Sequence, residues 1–216
     1  MATDWLNVAA FLAQATVISL TGVMAPGPMT AATVAAGVRR RHAGALIAVG
    51  HAVIEVPLMI AIVAGAAKLL KYPGVQIGIG LAGGAMLLLM GAQILIGLRK
   101  GAEATGPARR SRHPLVTGIV LTGGNPYFLI WWATVGLALA TQARALGILA
   151  FALFAAVHWL CDLVWLEALS VATHKGSRLL GGRGQKVFLG ICAAAILFFG
   201  GKFILDAALA AARAFE

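Results

Sequence analysis

The chain has 216 residues, of which 61% are apolar and only 11% charged, and its mean hydropathy is +0.92. A soluble domain averages about 25% charged residues, because it must cover its surface with polar groups. The seven acidic and seventeen basic side chains of this chain are too few for that purpose. The composition therefore excludes a soluble enzyme, a disordered chain and a nucleic-acid-binding domain, and it predicts an all-α integral membrane protein.

Six apolar segments follow one another along the chain, and each is long enough to cross about 30 Å of hydrocarbon. They lie at about 5–38, 43–67, 75–97, 115–140, 145–172 and 187–209. The connections between them are short, the longest being the basic loop 98–114. We therefore expect residues 1–216 to form a single transmembrane domain with six transmembrane helices.

The basic side chains are distributed unevenly between the two sides of the predicted membrane domain. The connections after the first, third and fifth segments carry 12 Lys and Arg residues, whereas the opposite side carries 4. Loops rich in Lys and Arg face the cytoplasm. We therefore expect the loop 98–114 to be cytoplasmic and both termini to be extracytoplasmic.

Two of the apolar segments contain a strong helix breaker. Pro26-Gly27-Pro28 interrupts the first segment, and Asn125-Pro126, preceded by two glycines, interrupts the fourth. Proline lacks the backbone donor and clashes with the preceding turn. Broken backbone within a membrane persists only where protein or a water-filled cavity satisfies it. Corresponding breaks in two halves of a chain are typical of a transporter binding site.

The second and fifth segments each contain a histidine and an acid four residues apart. His51 and Glu55 form the first pair, and His158 and Asp162 form the second. The spacing places both members of a pair on one helix face. At about 1.5 Å per helical residue, both acids and both breaks lie about 16–20 Å from the cytoplasmic edge, near the middle of the membrane. Ionisable groups at this depth are costly and therefore indicate function.

The order of these features indicates an internal duplication. The break precedes the His–acid pair in both halves, so the chain divides into repeats of about 5–97 and 115–209. Because each repeat contains three spans, the second is inverted relative to the first. We therefore predict two inverted three-helix repeats, with helices 1 and 4 broken at the midplane.

The predicted site suits a zwitterionic substrate. The helices that begin at Pro28 and Pro126 would present free amides, which favour a carboxylate. Glu55 and Asp162 could hold an ammonium group or a coupling proton. An alternative hypothesis is a divalent metal-ion exporter that binds its cargo through the His–acid pairs. The sequence has no nucleophile–base motif and no cofactor fingerprint, so we expect neither an enzyme nor a bound cofactor or resident metal.

The small-residue spacings of the third segment, Gly74-xxx-Gly78 and Gly80-xxx-Gly84, have two interpretations. Such spacings let helix backbones approach closely. They predict either packing within the chain or the seam of a homodimer.

These motifs together resemble those of the lysine-exporter (LysE/RhtB) translocator family of inner-membrane exporters. The similarity includes Pro26-Gly27-Pro28, the basic turn that follows it, the stretch that ends in the acid Glu55, and Asn125-Pro126. It covers essentially the whole chain. The resemblance implies a multi-pass protein of the cell inner membrane that exports small amino-acid-like solutes. With the two acids, it favours a secondary exporter that is proton-coupled and works by alternating access.

Overall fold

The computed structural model describes residues 5–66, 72–99, 113–179 and 181–214, and in these ranges the chain is helical apart from short connections. The predicted cytoplasmic loop 98–114 falls largely outside them. The described ranges contain nine α-helices in chain order: α1 Trp5–Val23, α2 Pro28–Arg39, α3 Ala43–Ala61, α4 Pro73–Arg99, α5 Pro114–Gly123, α6 Pro126–Trp131, α7 Leu137–Leu146, α8 Ile148–Leu179 and α9 Gly181–Ala214. One π-helical turn, Ile62–Ala66, continues α3, and another, Trp132–Gly136, joins α6 to α7.

Five segments of the described chain are long and apolar enough to cross a membrane. They are Trp5–Val23, Ala43–Gly65, Pro73–Arg99, Ile148–Ser177 and Lys186–Arg213. The described chain is therefore helical throughout apart from short connections, and the protein is a multi-pass membrane protein. The predicted fourth span does not form one long helix, because it is divided among α5, α6 and α7.

Both predicted breaks end a helix in the structure. The α1 helix ends at Val23, and α2 begins with Pro28 in its first turn. In the same way, α5 ends at Gly123, and α6 begins at Pro126. Proline is tolerated in the first turn of a helix, where its missing N–H has no helical partner to lose. The prolines therefore start new helices after each break.

The connection between α7 and α8 consists of a single residue, Gly147. Its φ of +124° lies outside the range that other residues adopt readily, which allows the chain to turn sharply. The fourth predicted span therefore extends to Leu146, beyond the expected boundary at residue 140.

The helices pack around α3 and α8. The α3 helix contacts α5 on one side and α8 on another, while α8 also contacts α1 and α2. The two long helices α4 and α9 pack along each other, and α9 also contacts α2. Gly80 and Gly84 of α4 lie against Ala207 and Ile204 of α9, so this small-residue spacing serves packing within the chain.

Candidate functional site

The two His–acid pairs predicted from the sequence meet between α3 and α8. His51 Nε2 lies 2.9 Å from Glu55 Oε1, and His158 Nε2 lies 3.2 Å from the same oxygen. Asp162 is slightly farther away, with Oδ1 3.7 Å from His51 Nε2 and Oδ2 3.8 Å from His158 Nε2. All four residues are buried, with exposed fractions between 1% for Glu55 and 8% for Asp162. We call these four residues the buried cluster.

Glu55 is the central acceptor of the buried cluster. Besides the two imidazoles, Trp132 Nε1 donates a hydrogen bond to Glu55 Oε1 over 3.3 Å. Trp132 is fully buried at the start of the π-helical turn after α6. A buried carboxylate must be paired or hydrogen-bonded to be tolerated, and these three donors meet that requirement at Oε1. The position of Trp132 in the sequence carries no signal of this hydrogen bond.

Each histidine of the buried cluster turns its second ring nitrogen to a hydroxyl group. His51 Nδ1 lies 2.8 Å from Thr122 Oγ1, and His158 Nδ1 lies 2.7 Å from Ser19 Oγ. The sequence analysis missed both hydroxyls. Their position in the sequence could have indicated them, because Ser19 and Thr122 each lie within two helical turns before the break in their own half of the chain.

The Thr122 hydroxyl determines where His51 carries a proton. Thr122 Oγ1 donates to the carbonyl oxygen of Gly118 over 2.6 Å, so its oxygen accepts from His51 Nδ1–H. The 2.9 Å contact between His51 Nε2 and Glu55 Oε1 needs a further proton, carried by one of the two groups. The buried cluster therefore holds at least one proton that a carboxylate and an imidazole share.

A close crossing of α3 and α5 brings His51 to Thr122. Gly50 of α3 lies against the backbone of Leu115, and Gly118 of α5 lies against the backbone of Ile47. A Cβ at either glycine would overlap a carbonyl oxygen of the other helix. The absence of both side chains is therefore what allows the two helices to approach this closely.

Aromatic rings enclose the two histidines. Trp131 stacks on His158 with ring centroids 5.3 Å apart and an interplanar angle of 23°, and Phe154 lies 5.9 Å from the same ring. Phe128 meets the edge of His51 at 5.1 Å. Trp132 packs with Phe154 in an apolar cluster that also contains Met59, one turn beyond Glu55 in α3. The buried cluster is therefore covered by apolar groups on this side.

The opposite side is closed by contacts between α8 and the turn from α2 to α3. Ser170 Oγ donates to the carbonyl oxygen of Arg41 over 2.9 Å, and His174 Nδ1 lies 3.1 Å from the carbonyl oxygen of Gly37. Glu167 contacts the His42 ring and accepts a hydrogen bond from the backbone N–H of Ala45 near the start of α3. We call this end of the bundle the basic end, because it carries Arg39–Arg41.

The helices that follow the two breaks differ in whether a side chain caps their first backbone N–H groups. At the first break, Pro26 is exposed, Pro28 is buried, and the N-cap residue Gly27 has no side chain that could cap α2. At the second break, Asn125 Oδ1 accepts from the backbone N–H groups of Tyr127 and Phe128, 3.1 and 3.4 Å away. The expectation that the helix after Pro126 presents free amides is therefore wrong, because the Asn125 side chain caps its own helix.

An open groove in the described chain is separate from the buried cluster. It has a volume of about 340 Å³ and lies between α1 and α8, where Leu20, Val164 and Trp165 are among its lining residues. Its lining is apolar, as expected for a surface that faces lipid tails. The four ionisable side chains of the buried cluster lie instead between the aromatic rings described above and the basic end.

The buried cluster has the groups needed to bind a cation or to exchange protons. Two carboxylates can balance two imidazolium ions, and a change of one proton alters the charge of a site that water does not screen. A ligand with an ammonium group could replace an imidazolium as the partner of Glu55 or Asp162. His51, Glu55 and Asp162 also have ligand atoms close enough together to hold a metal ion.

Comparison with known proteins assigns the chain to a family. The family model described as LysE type translocator matches residues 20–207, which include both breaks and the whole buried cluster. The searches of curated proteins and of solved structures returned no significant match. The match confirms the resemblance to this family that the sequence motifs indicated, and it does not favour metal-ion export. The chain therefore belongs to the LysE type translocator family and is a multi-pass membrane transporter.

Proposed function

We propose that the chain is a secondary active exporter of amino acids or similar small zwitterionic metabolites, and that the buried cluster binds substrate and protons. The observation that carries this proposal is the meeting of His51, Glu55, His158 and Asp162 in one enclosed site. Charged groups inside a membrane protein are costly and mark transport sites. The family match supports export as the direction of transport.

The two ends of a zwitterion have different partners in this proposal. The acids Glu55 and Asp162 hold the ammonium group. The start of α2, which follows Pro26-Gly27-Pro28, receives the carboxylate, since no N-cap side chain competes for its first amides. The start of α6 is not used in this way, because Asn125 already caps it. We assign Asn125 and Pro126 a different role, in which they end α5 just after Thr122, the residue that contacts His51.

Proton coupling follows from the shared proton of the buried cluster. An ammonium group that binds to Glu55 would compete with the imidazolium partner of this acid. Binding of substrate would therefore release a proton from the cluster, and loss of substrate would allow a proton to return. This exchange is an antiport of protons and substrate, which does not require any cofactor.

Alternating access is supported by the matched contacts of the two halves. The pair α3 and α5 carries the contact between His51 and Thr122, and the pair α8 and α1 carries the corresponding contact between His158 and Ser19. In each contact, a histidine helix of one repeat meets the helix before the break of the other repeat. Two inverted repeats, 5–97 and 115–209, with the helix breaks near the midplane, would produce such reciprocal contacts. The buried cluster is closed on both sides, so we propose that this is an occluded state.

The basic end faces the cytoplasm in this proposal, and both termini are extracytoplasmic, because Lys and Arg accumulate on the cytoplasmic side. The location is the cell inner membrane. A homodimer would use the face of α4 at Gly78, where a Cβ would meet no described atom within 4 Å, rather than the face that packs on α9.

Counterflow in proteoliposomes tests the function directly. Purified protein is reconstituted with a high internal concentration of one amino acid, and uptake of a labelled trace of the same compound is measured across a panel of amino acids. We expect at least one amino acid to exchange and to move outward faster when a pH gradient is applied. Exchange of a divalent cation with no response to any amino acid would contradict the proposal.

A further inference from the structure

The buried cluster has five inward-facing atoms, namely the Nε2 atoms of His51 and His158, Glu55 Oε1 and both carboxylate oxygens of Asp162. Their imidazole–carboxylate separations are close to those of a four-coordinate metal site in which Asp162 supplies one oxygen. With metal–ligand bonds of about 2.0–2.1 Å, neighbouring atoms of a tetrahedral site lie about 3.3 Å apart. The four imidazole–carboxylate distances in the cluster are 2.9, 3.2, 3.7 and 3.8 Å. Ligand atoms of His51, Glu55 and Asp162 lie within 4.8 Å of one another. His158 Nε2 contacts both acids and would supply the fourth atom.

The orientation of the imidazole rings is also that of metal ligands. A histidine that binds a metal through one nitrogen usually donates its other N–H to an acceptor, which fixes the ring. His51 and His158 both direct Nε2 to the acids, while Thr122 and Ser19 contact their Nδ1 atoms. The Thr122 hydroxyl donates to the carbonyl oxygen of Gly118, so its oxygen accepts from His51 Nδ1–H. His51 Nε2 therefore remains available to bind a cation at the centre of the cluster.

The acids retain unused acceptor atoms inside this enclosed site. Within the described part of the chain, Glu55 Oε2 and Asp162 Oδ2 are buried and have no hydrogen-bond partner. Glu55 is 1% exposed, so its second oxygen does not contact bulk solvent. Buried acceptors without a donor are destabilising, and a cation bound by Asp162 Oδ2 would remove that cost at this atom.

We propose that His51, Glu55, Asp162 and His158 bind one first-row divalent cation of the Zn²⁺ class. Imidazole and carboxylate ligands in a four-coordinate arrangement suit such ions. They do not suit Ca²⁺ or Mg²⁺, which require six or more oxygen ligands or retain several waters. Binding rests on this geometry alone. One consequence, that the cation inhibits amino-acid export by occupying the positions of the ammonium group and the coupling proton, rests on the proposed function.

Co²⁺ is a suitable probe, because four-coordinate Co²⁺ absorbs visible light much more strongly than the hydrated ion. Full-length protein without a polyhistidine tag is placed in lipid nanodiscs and titrated with CoCl₂. We expect one Co²⁺ per chain, an intense visible absorption, and its loss when ZnCl₂ is added. His51→Gln and Asp162→Asn should abolish the absorption, whereas His42→Gln, which alters an exposed histidine outside the cluster, should retain it.

A second set of variants separates ligation from folding. Thr122→Val removes the hydroxyl that orients His51 but no ligand, and such changes weaken metal binding by about 10–100-fold. Each variant is first shown to be folded by size-exclusion chromatography and tryptophan fluorescence. Absence of stoichiometric binding to the folded wild-type chain would overturn the proposal, and so would unchanged binding by folded His51→Gln or Asp162→Asn.

The outcomes distinguish this inference from the proposed function. If the wild-type chain binds Co²⁺ and Zn²⁺ but exchanges no amino acid, the metal site stands and the proposed function fails. If the chain exchanges an amino acid but binds neither metal, the metal site alone is wrong. If both are observed, ZnCl₂ should suppress amino-acid counterflow at the concentrations that displace Co²⁺.

Discussion

Replacing Gly118 with alanine should force α3 and α5 apart at the point where they hold His51 beside Thr122. A Cβ at Gly118 would overlap the carbonyl oxygen of Ile47 and lie 3.0 Å from the backbone nitrogen of His51. Since non-bonded carbon atoms prefer separations of about 3.5–4.0 Å, the helices must separate by on the order of 1 Å. The 2.8 Å contact between His51 and Thr122 would then exceed hydrogen-bonding distance.

The destabilisation caused by the close contact at Gly118 can be measured by comparison with the same substitution at a glycine that has no such contact. Overpacking of this kind costs about 1–3 kcal/mol. Alanine also stabilises a helix by about 1 kcal/mol relative to glycine, which partly hides that cost. Gly190 in α9 is the control, because a Cβ there would meet no described atom within 4 Å. We therefore expect the free energy of unfolding of Gly118→Ala to be about 1–3 kcal/mol below that of Gly190→Ala.

The comparison is made by unfolding both purified variants in mixed micelles of increasing SDS content, with tryptophan fluorescence as the signal. Counterflow of the responding amino acid is measured in parallel and should be reduced only in Gly118→Ala. Equal stability and equal transport of the two variants would show that α3 and α5 do not cross closely at Gly118. The contact between His51 and Thr122 would then lose its structural basis.

Three further predictions concern the helix break, the acid and the orientation. Replacing Pro26, Gly27 and Pro28 together with alanine should join α1 to α2 and remove the first amides of α2, so that the variant inserts but does not transport; full transport would exclude a role for this break. Trp132→Phe should lower the free energy of unfolding by about 1–3 kcal/mol, because the buried carboxylate of Glu55 loses a donor, and an unchanged SDS midpoint would contradict that hydrogen bond. A reporter fused to the C-terminus should be active only outside the cytoplasm, and cytoplasmic activity would reverse the proposed topology.

Much of the arrangement of the buried cluster could be predicted from the sequence. The i,i+4 spacing places His51 and Glu55 on one face of α3, and the same spacing places His158 and Asp162 on one face of α8. Depth along each helix then brings all four residues to the same level. Proline and glycine are local breakers, so the ends of α1 and α5 were also predictable. The role of these residues in transport stays a prediction.

Other parts of the site depend on contacts that helical periodicity does not encode. The approach of Thr122 to His51 results from the crossing of α3 and α5 at Gly50 and Gly118, which only the packed bundle reveals. The capping of α6 was missed for a different reason. The Asn125 side chain can bond to its own helix, and this local hydrogen bond competes with the ligand-binding role that the break suggested.

The most direct test of the central claim is export driven by a pH gradient in Glu55→Gln. This substitution keeps the size of the side chain but removes the carboxylate that contacts both imidazoles. Asp206→Asn is the control, because Asp206 pairs with Lys202 on an exposed face of α9, outside the buried cluster. We expect Glu55→Gln to abolish gradient-driven export of the responding amino acid while Asp206→Asn exports it as the wild-type chain does. Wild-type export by a folded Glu55→Gln variant would remove Glu55 from the mechanism and contradict the assignment of the buried cluster as the transport site.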